Sequence, residues 1–182
     1  MKNNFYKLLF IALLFSGIAC QRDDICPATT DTTPLLIIRF YENEEPNDLQ
    51  SPQNLSIRAI DSDSTNFVIN TGGNSPVRYF RFSGDSIAIP LKTNADQTSY
   101  VFTLNTAAND TTASNSGIRD TLSFTYARSE EYINRACAYK VNYVGLKTSL
   151  RNSGEESGWI QEIEIEQTDI EDENQAHVSI FF

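Results

Sequence analysis

Apolar and polar residues alternate with a period of two along much of the chain. The segment 121–126 reads T-L-S-F-T-Y and places Leu122, Phe124 and Tyr126 on one face. From Cys137 the predicted inward set is Cys137, Tyr139, Val141 and Tyr143, with Lys140 and Asn142 opposite. From Trp159 one face holds Trp159, Ile163 and Ile165, and the other Glu162, Glu164 and Glu166. Successive side chains of a strand point to opposite sides, so each segment predicts a strand with one buried and one wet face. Further strands are predicted over 35–41, 55–60, 67–70, 78–82, 86–91, 100–104 and 177–182. Residues 35–40 are nearly continuously apolar, which predicts a central strand.

Turn-rich stretches separate these segments: 43–54, 71–76 with Gly72-Gly73, 105–117 and 152–158. Many short strands with such spacing predict an all-β fold, a single β-sandwich of immunoglobulin-like type, with a barrel as the second choice. No window of helical length shows a 3.6-residue period. Ser129-Glu130-Glu131 could start one helical turn or form a hairpin tip. The sequence shows no internal repeat and no sign of a second folded domain.

The N-terminus, MKNNFYKLLFIALLFSGIAC, has a different character. Lys2 and Lys7 make a positive start, an apolar run follows, and small residues precede Cys20. That pattern predicts a cleaved secretory signal over residues 1–19, too short to span a bilayer as a helix. Ser16-Gly-Ile-Ala-Cys20 resembles a bacterial lipobox, with Gly17 where Leu is usual. The resemblance implies that Cys20 is lipidated and becomes the mature N-terminus, anchored in the membrane by more than one acyl chain. Gln21-Arg22-Asp23-Asp24 resembles the surface-export signal of Bacteroidota lipoproteins, which favours the cell surface over the periplasmic face of the outer membrane. Residues 20–34 then read as a lipidated tether and 35–182 as the sandwich domain.

The whole chain of 182 residues carries a formal charge of −10. The leader holds two lysines and no acid, so the mature chain is two units more negative. Such acidity excludes a nucleic-acid groove, which needs clustered Lys and Arg. With Cys20 acylated, Cys26 and Cys137 are the remaining thiols, and in an oxidising envelope they predict a disulfide. A reactive Cys137 would need a neighbouring base, and a metal site would need a CxxC or a nearby His.

Chemistry-bearing motifs are few. The chain has one histidine, His177, placed in the last predicted strand, where a structural role is expected. No Gly-x-Ser-x-Gly elbow, phosphate loop or HExxH occurs. Glu162, Glu164 and Glu166 share one wet strand face, with cations expected across the sheet. Asp61-Ser-Asp63-Ser-Thr65 begins like a calcium loop, but Gly72 stands where the bidentate Glu belongs. Glu171-Asp172-Glu173 is a second acidic cluster. The pairs preceding Thr32, Ser64, Ser86, Thr111 and Thr121 are Asp-Thr or Asp-Ser. They resemble the O-glycosylation sequon of Bacteroidota envelope proteins, though such pairs are also favoured in turns. Tyr79, Phe80 and Phe82 would stack on carbohydrate if exposed on one face. No catalytic residue, metal site or cofactor is expected.

Three stretches resemble one uncharacterised lipoprotein family of Bacteroidota. They are the head, Cys20-Gln-Arg-Asp-Asp-Ile-Cys26-Pro with Thr32-Thr33-Pro34 and Leu36-Ile-Ile-Arg-Phe-Tyr41; the middle, Arg135-Ala-Cys137-Ala-Tyr-Lys140; and the tail, Ile170-Glu-Asp-Glu-Asn174 with His177-Val-Ser-Ile-Phe-Phe182. Ala138 stands where the pattern has Gly. The resemblance implies a lipid-anchored envelope protein of unknown biochemical function, with an outer-membrane β-barrel as candidate partner. The expected activity is therefore binding, as an accessory module; the rival is an envelope glycan hydrolase using loop carboxylates.

Overall fold

Period-two patterning becomes strand structure nearly everywhere it was found. The computed structural model describes residues 25–27, 29–30, 32–60, 67–70, 77–108, 117–152 and 158–182. Among them the chain forms ten strands and no helix: β1 (Leu36–Tyr41), β2 (Ser56–Ala59), β3 (Ile69–Asn70), β4 (Val77–Arg78), β5 (Ser86–Ile89), β6 (Gln97–Leu104), β7 (Ile118–Asn134), β8 (Ala138–Asn152), β9 (Glu162–Ile165) and β10 (Val178–Phe181). They make two four-stranded sheets, ordered β5-β1-β10-β9 and β2-β6-β7-β8, and the two-stranded ribbon β3-β4.

The apolar β1 is internal, as its composition predicts. It runs antiparallel to β5 and parallel to β10, with Ile38 opposite both Ile87 and Val178. Leu36, Ile38 and Phe40 are fully buried and share one core cluster with Ile57, Phe102, Leu122 and Phe124 of the other large sheet. Each such side chain contributes about 1.5–3 kcal/mol relative to exposure, so this cluster dominates stability.

Polar contacts then fix how the chain passes between the sheets. Tyr100, Tyr143 and Tyr126 donate their hydroxyls to the successive carbonyls of Pro90, Leu91 and Lys92. The Tyr126 hydroxyl also lies 2.6 Å from Thr98 Oγ1, which accepts the Lys92 N–H. Burial pushes the Tyr143 hydroxyl up to about 12, with Tyr126 adding to the effect. These three side chains are therefore neutral donors clamping one short segment.

Two sequence expectations are corrected. Ser129–Glu131 is neither helix nor tip: it lies within β7, and the hairpin turns at 135–137. The inward set after Cys137 also fails in part, because Tyr139 is exposed while Lys140 and Asn142 are buried. Lys140 Nζ and the Asn142 side-chain amide both reach Glu131 Oε2, at 3.2 and 3.1 Å. Those contacts hold its carboxyl below the usual range, the Asn142 bond first and Lys140 second.

The described residues fall into two compact units. One joins those up to Thr30 with Tyr132–Tyr139; the other holds those from Thr32 to Glu131 and Lys140 to Phe182.

Candidate functional site

The first unit is built around the predicted disulfide. Cys26 and Cys137 are bonded, with Cα atoms 4.7 Å apart across a sequence separation of 111. Cys137 sits in the turn of the β7–β8 hairpin, whose geometry is set locally. Asn134 Oδ1 accepts the N–H groups of Ala136 and Cys137 at 2.9 and 2.8 Å, an Asx turn. Ala138 follows with φ 59°, a left-handed position that disfavours a Cβ. A Gly at this position, which the resemblance implies, would carry no such cost. Flanking the turn, Tyr132 and Tyr139 meet edge to face at 5.2 Å. Both are exposed, and so is Ile25. The alternation after Cys137 places Tyr139 in the core, whereas the structure leaves both Tyr139 and Tyr132 exposed. The missed signal was an aromatic on either side of a polar turn.

In the second unit, Glu162 and Glu164 lie on the wet face of β9 as predicted, and the exposed Glu166 follows just past the strand's end. Glu162, Glu164 and Glu166 line an open depression of about 430 Å³ with Tyr41, Asn43, Pro46, Asn47, Ser179 and Phe181. The expected cations across the sheet are not its register partners: Glu164 faces Ser179 and Glu162 faces Phe181. Ser179 donates its hydroxyl to Glu166 at 2.7 Å, and Tyr41 stacks on Phe181 with centroids 5.5 Å apart. Glu162 and Glu164 come from β9, about 6.7 Å apart along it, and Glu166 follows directly after its end. The remaining lining side chains are uncharged.

His177 is buried and fully engaged. Its Nδ1 accepts the Ile37 N–H at 3.0 Å. Burial lowers its pKa, while a hydrogen bond to the Asp172 backbone and the carboxylates of Asp172 and Glu173 oppose the shift. The acidic cluster after Ile170 braces backbone too: Asp172 accepts the Asn174 N–H and Glu173 the Leu35 N–H. Among the described residues, no group of three His, Cys, Asp or Glu side chains is arranged to hold a metal ion.

The modification candidates separate by accessibility. Thr32 and Ser86 are exposed, whereas Ser64 and Thr111 lie outside the described residues, as do Cys20 and the calcium-like segment 61–65. Thr121 is buried, so its hydroxyl is closed to an enzyme acting on the folded protein. Its neighbour Asp120 is fully buried and accepts the Ile160 N–H at 2.9 Å. A Cβ on Gly158 would lie 1.9 Å from the Asp120 carboxylate, so only glycine permits this approach. That Asp-Thr pair therefore belongs to the core rather than to a turn. The aromatic trio is likewise no platform. Tyr79 is buried with its hydroxyl bonded to the N–H and C=O of Ala88, Phe82 meets it edge-on, and Phe80 packs on Phe67.

No curated protein and no solved structure matches the chain. The middle and tail stretches of the resemblance fall within the span matched by a family, and the head falls before it. Residues 54–182 match the family of unknown function DUF6452, and the chain belongs to that family.

Proposed function

We propose that this chain is an envelope lipoprotein, anchored through an acylated Cys20 at the outer membrane. It acts by binding, as an accessory module to another envelope component such as a β-barrel protein. The observation that carries this reading is the Cys26–Cys137 disulfide. Its formation suits an oxidising compartment, and it ties the hairpin turn six residues from the anchor position. The arrangement suits a protein meant to be held at a membrane. We also propose that the two large sheets are the layers of a sandwich, supported by the core cluster they share. Their strand order differs from the ABED and CFG sheets of immunoglobulin constant domains, which narrows the expectation to a sandwich.

A glycan hydrolase would need two carboxylates flanking the scissile bond. The depression beside β9 has its three on one wall, which suits a neutral or cationic ligand better. Cross-linking followed by affinity purification from native outer membranes tests the binding role. A specific envelope component should be recovered in stoichiometric amount. Recovery of none, from membranes that retain the protein, would overturn the role.

A further inference from the structure

The hairpin tip carries an inference of its own, which rests on the lipid-anchor reading. We propose that Tyr132–Tyr139 is a contact surface for the bilayer that holds Cys20, with the rings of Tyr132 and Tyr139 seated at headgroup level.

Reach is the first argument. Five residues separate Cys20 from Cys26, and a fully extended chain covers at most about 20–22 Å over those six steps. The disulfide places the Cα of Cys137 only 4.7 Å beyond. The tip therefore cannot leave the neighbourhood of the membrane that holds the acyl chains. A longer tether would set no such limit.

Chemistry is the second. Tyr132 is 58% exposed and Tyr139 62%, side by side at 5.2 Å, and Ile25, next to the disulfide-bonded Cys26, is 85% exposed. Tyrosine presents an apolar ring and a polar hydroxyl, the combination enriched at membrane–water interfaces. In water the same pair is an uncovered apolar surface.

Charge is the third. The chain as a whole is strongly acidic, yet the segment 132–139 holds one arginine, Arg135, and no acid. Arg135 is exposed in the turn. An anionic headgroup attracts Arg135 in the turn, while the exposed Glu130 and Glu131 border the segment, with Lys140 paired to Glu131. The turn is also preorganised by the Asn134 hydrogen bonds and the disulfide, so little ordering entropy opposes the contact.

The test uses the full lipidated protein reconstituted in vesicles of phosphatidylethanolamine and phosphatidylglycerol. Tyr139→Trp serves as reporter and buried Trp159 as internal reference; Tyr132→Trp is the second reporter if the first misfolds. Lipids brominated near the headgroup end of the acyl chain should quench and blue-shift the emission from position 139 and leave Trp159 unchanged. Adding Arg135→Glu should reduce that quenching at low salt. Unquenched, water-like emission from protein whose mass shows an acylated Cys20 would overturn the contact alone. Protein that neither floats with vesicles nor carries acyl mass would overturn the anchor and the contact together. Unquenched emission with a photo-cross-link from position 139 to a protein in native membranes would replace the bilayer by a protein partner.

Discussion

His177 immediately precedes β10 and joins it to β1, accepting the Ile37 N–H through Nδ1 while its backbone N–H donates to the Ile37 carbonyl. Protonation would convert Nδ1 from acceptor to donor and strand a buried N–H, a loss of about 1–3 kcal/mol. The sign follows from linkage. A histidine whose folded pKa lies below its unfolded value of about 6.5 contributes stability above that pH, and the contribution is lost as pH falls through the folded value. We expect unfolding free energy to drop on acidification from pH 7 to 5. His177→Gln should remove that slope, measured by urea titration at each pH. Ala138 offers a test of opposite sign. At φ 59° its Cβ is unfavourable, and Ala138→Gly should raise the unfolding free energy by about 0.5–1 kcal/mol, seen as a higher urea midpoint with an unchanged slope.

Elements are held by two devices that the hydrophobic pattern does not reveal. One is the row of tyrosine hydroxyls on the carbonyls of residues 90 to 92. Tyr126→Phe removes bonds to both Thr98 and Lys92 and should cost about 1–2 kcal/mol; Tyr143→Phe removes one and should cost about 1 kcal/mol. Their rings touch at 4.9 Å, so the double variant should depart from additivity in a double-mutant cycle. The other device is the disulfide. Closing a loop of this length removes about 4–5 kcal/mol of chain entropy from the unfolded state in the chain-entropy model. Cys137→Ser should lower the denaturation midpoint in non-reducing buffer, and reductant should reproduce that loss in the wild type. An equal midpoint for both forms would contradict the estimate.

For the whole molecule, acidity and anchoring belong together. An acidic domain has no electrostatic affinity for an anionic headgroup layer, so under the proposed anchoring the acyl chains, not charge, would supply membrane residence, with the proposed tip contact adding to it. Cys20→Ala should move the protein quantitatively from the membrane to the soluble fraction and abolish incorporation of labelled palmitate. Persistence at the membrane after that substitution would assign retention to a protein partner.

The sequence alone determined where strands run, because burial of one sheet face imposes a period of two that no other structure shares. It also pointed to the disulfide, since reading Cys20 as a lipidation site leaves Cys26 and Cys137 as a pair, and the two are bonded. Tertiary structure decided what local pattern cannot encode. Tyr139 follows the alternation of Val141 and Tyr143 yet points to solvent, because it belongs to the stapled tip rather than to the sheets' core. Asp120 looks like a turn residue and is fully buried, because Gly158 leaves room for the backbone of residues 158–160 to wrap its carboxylate. The three glutamates read as a solvated face, and only the pairing of β9 with β10 brings them beside Tyr41 and Phe181. Periodicity reports which face a residue shares; which faces are covered, and by what, depends on contacts between residues far apart in the chain.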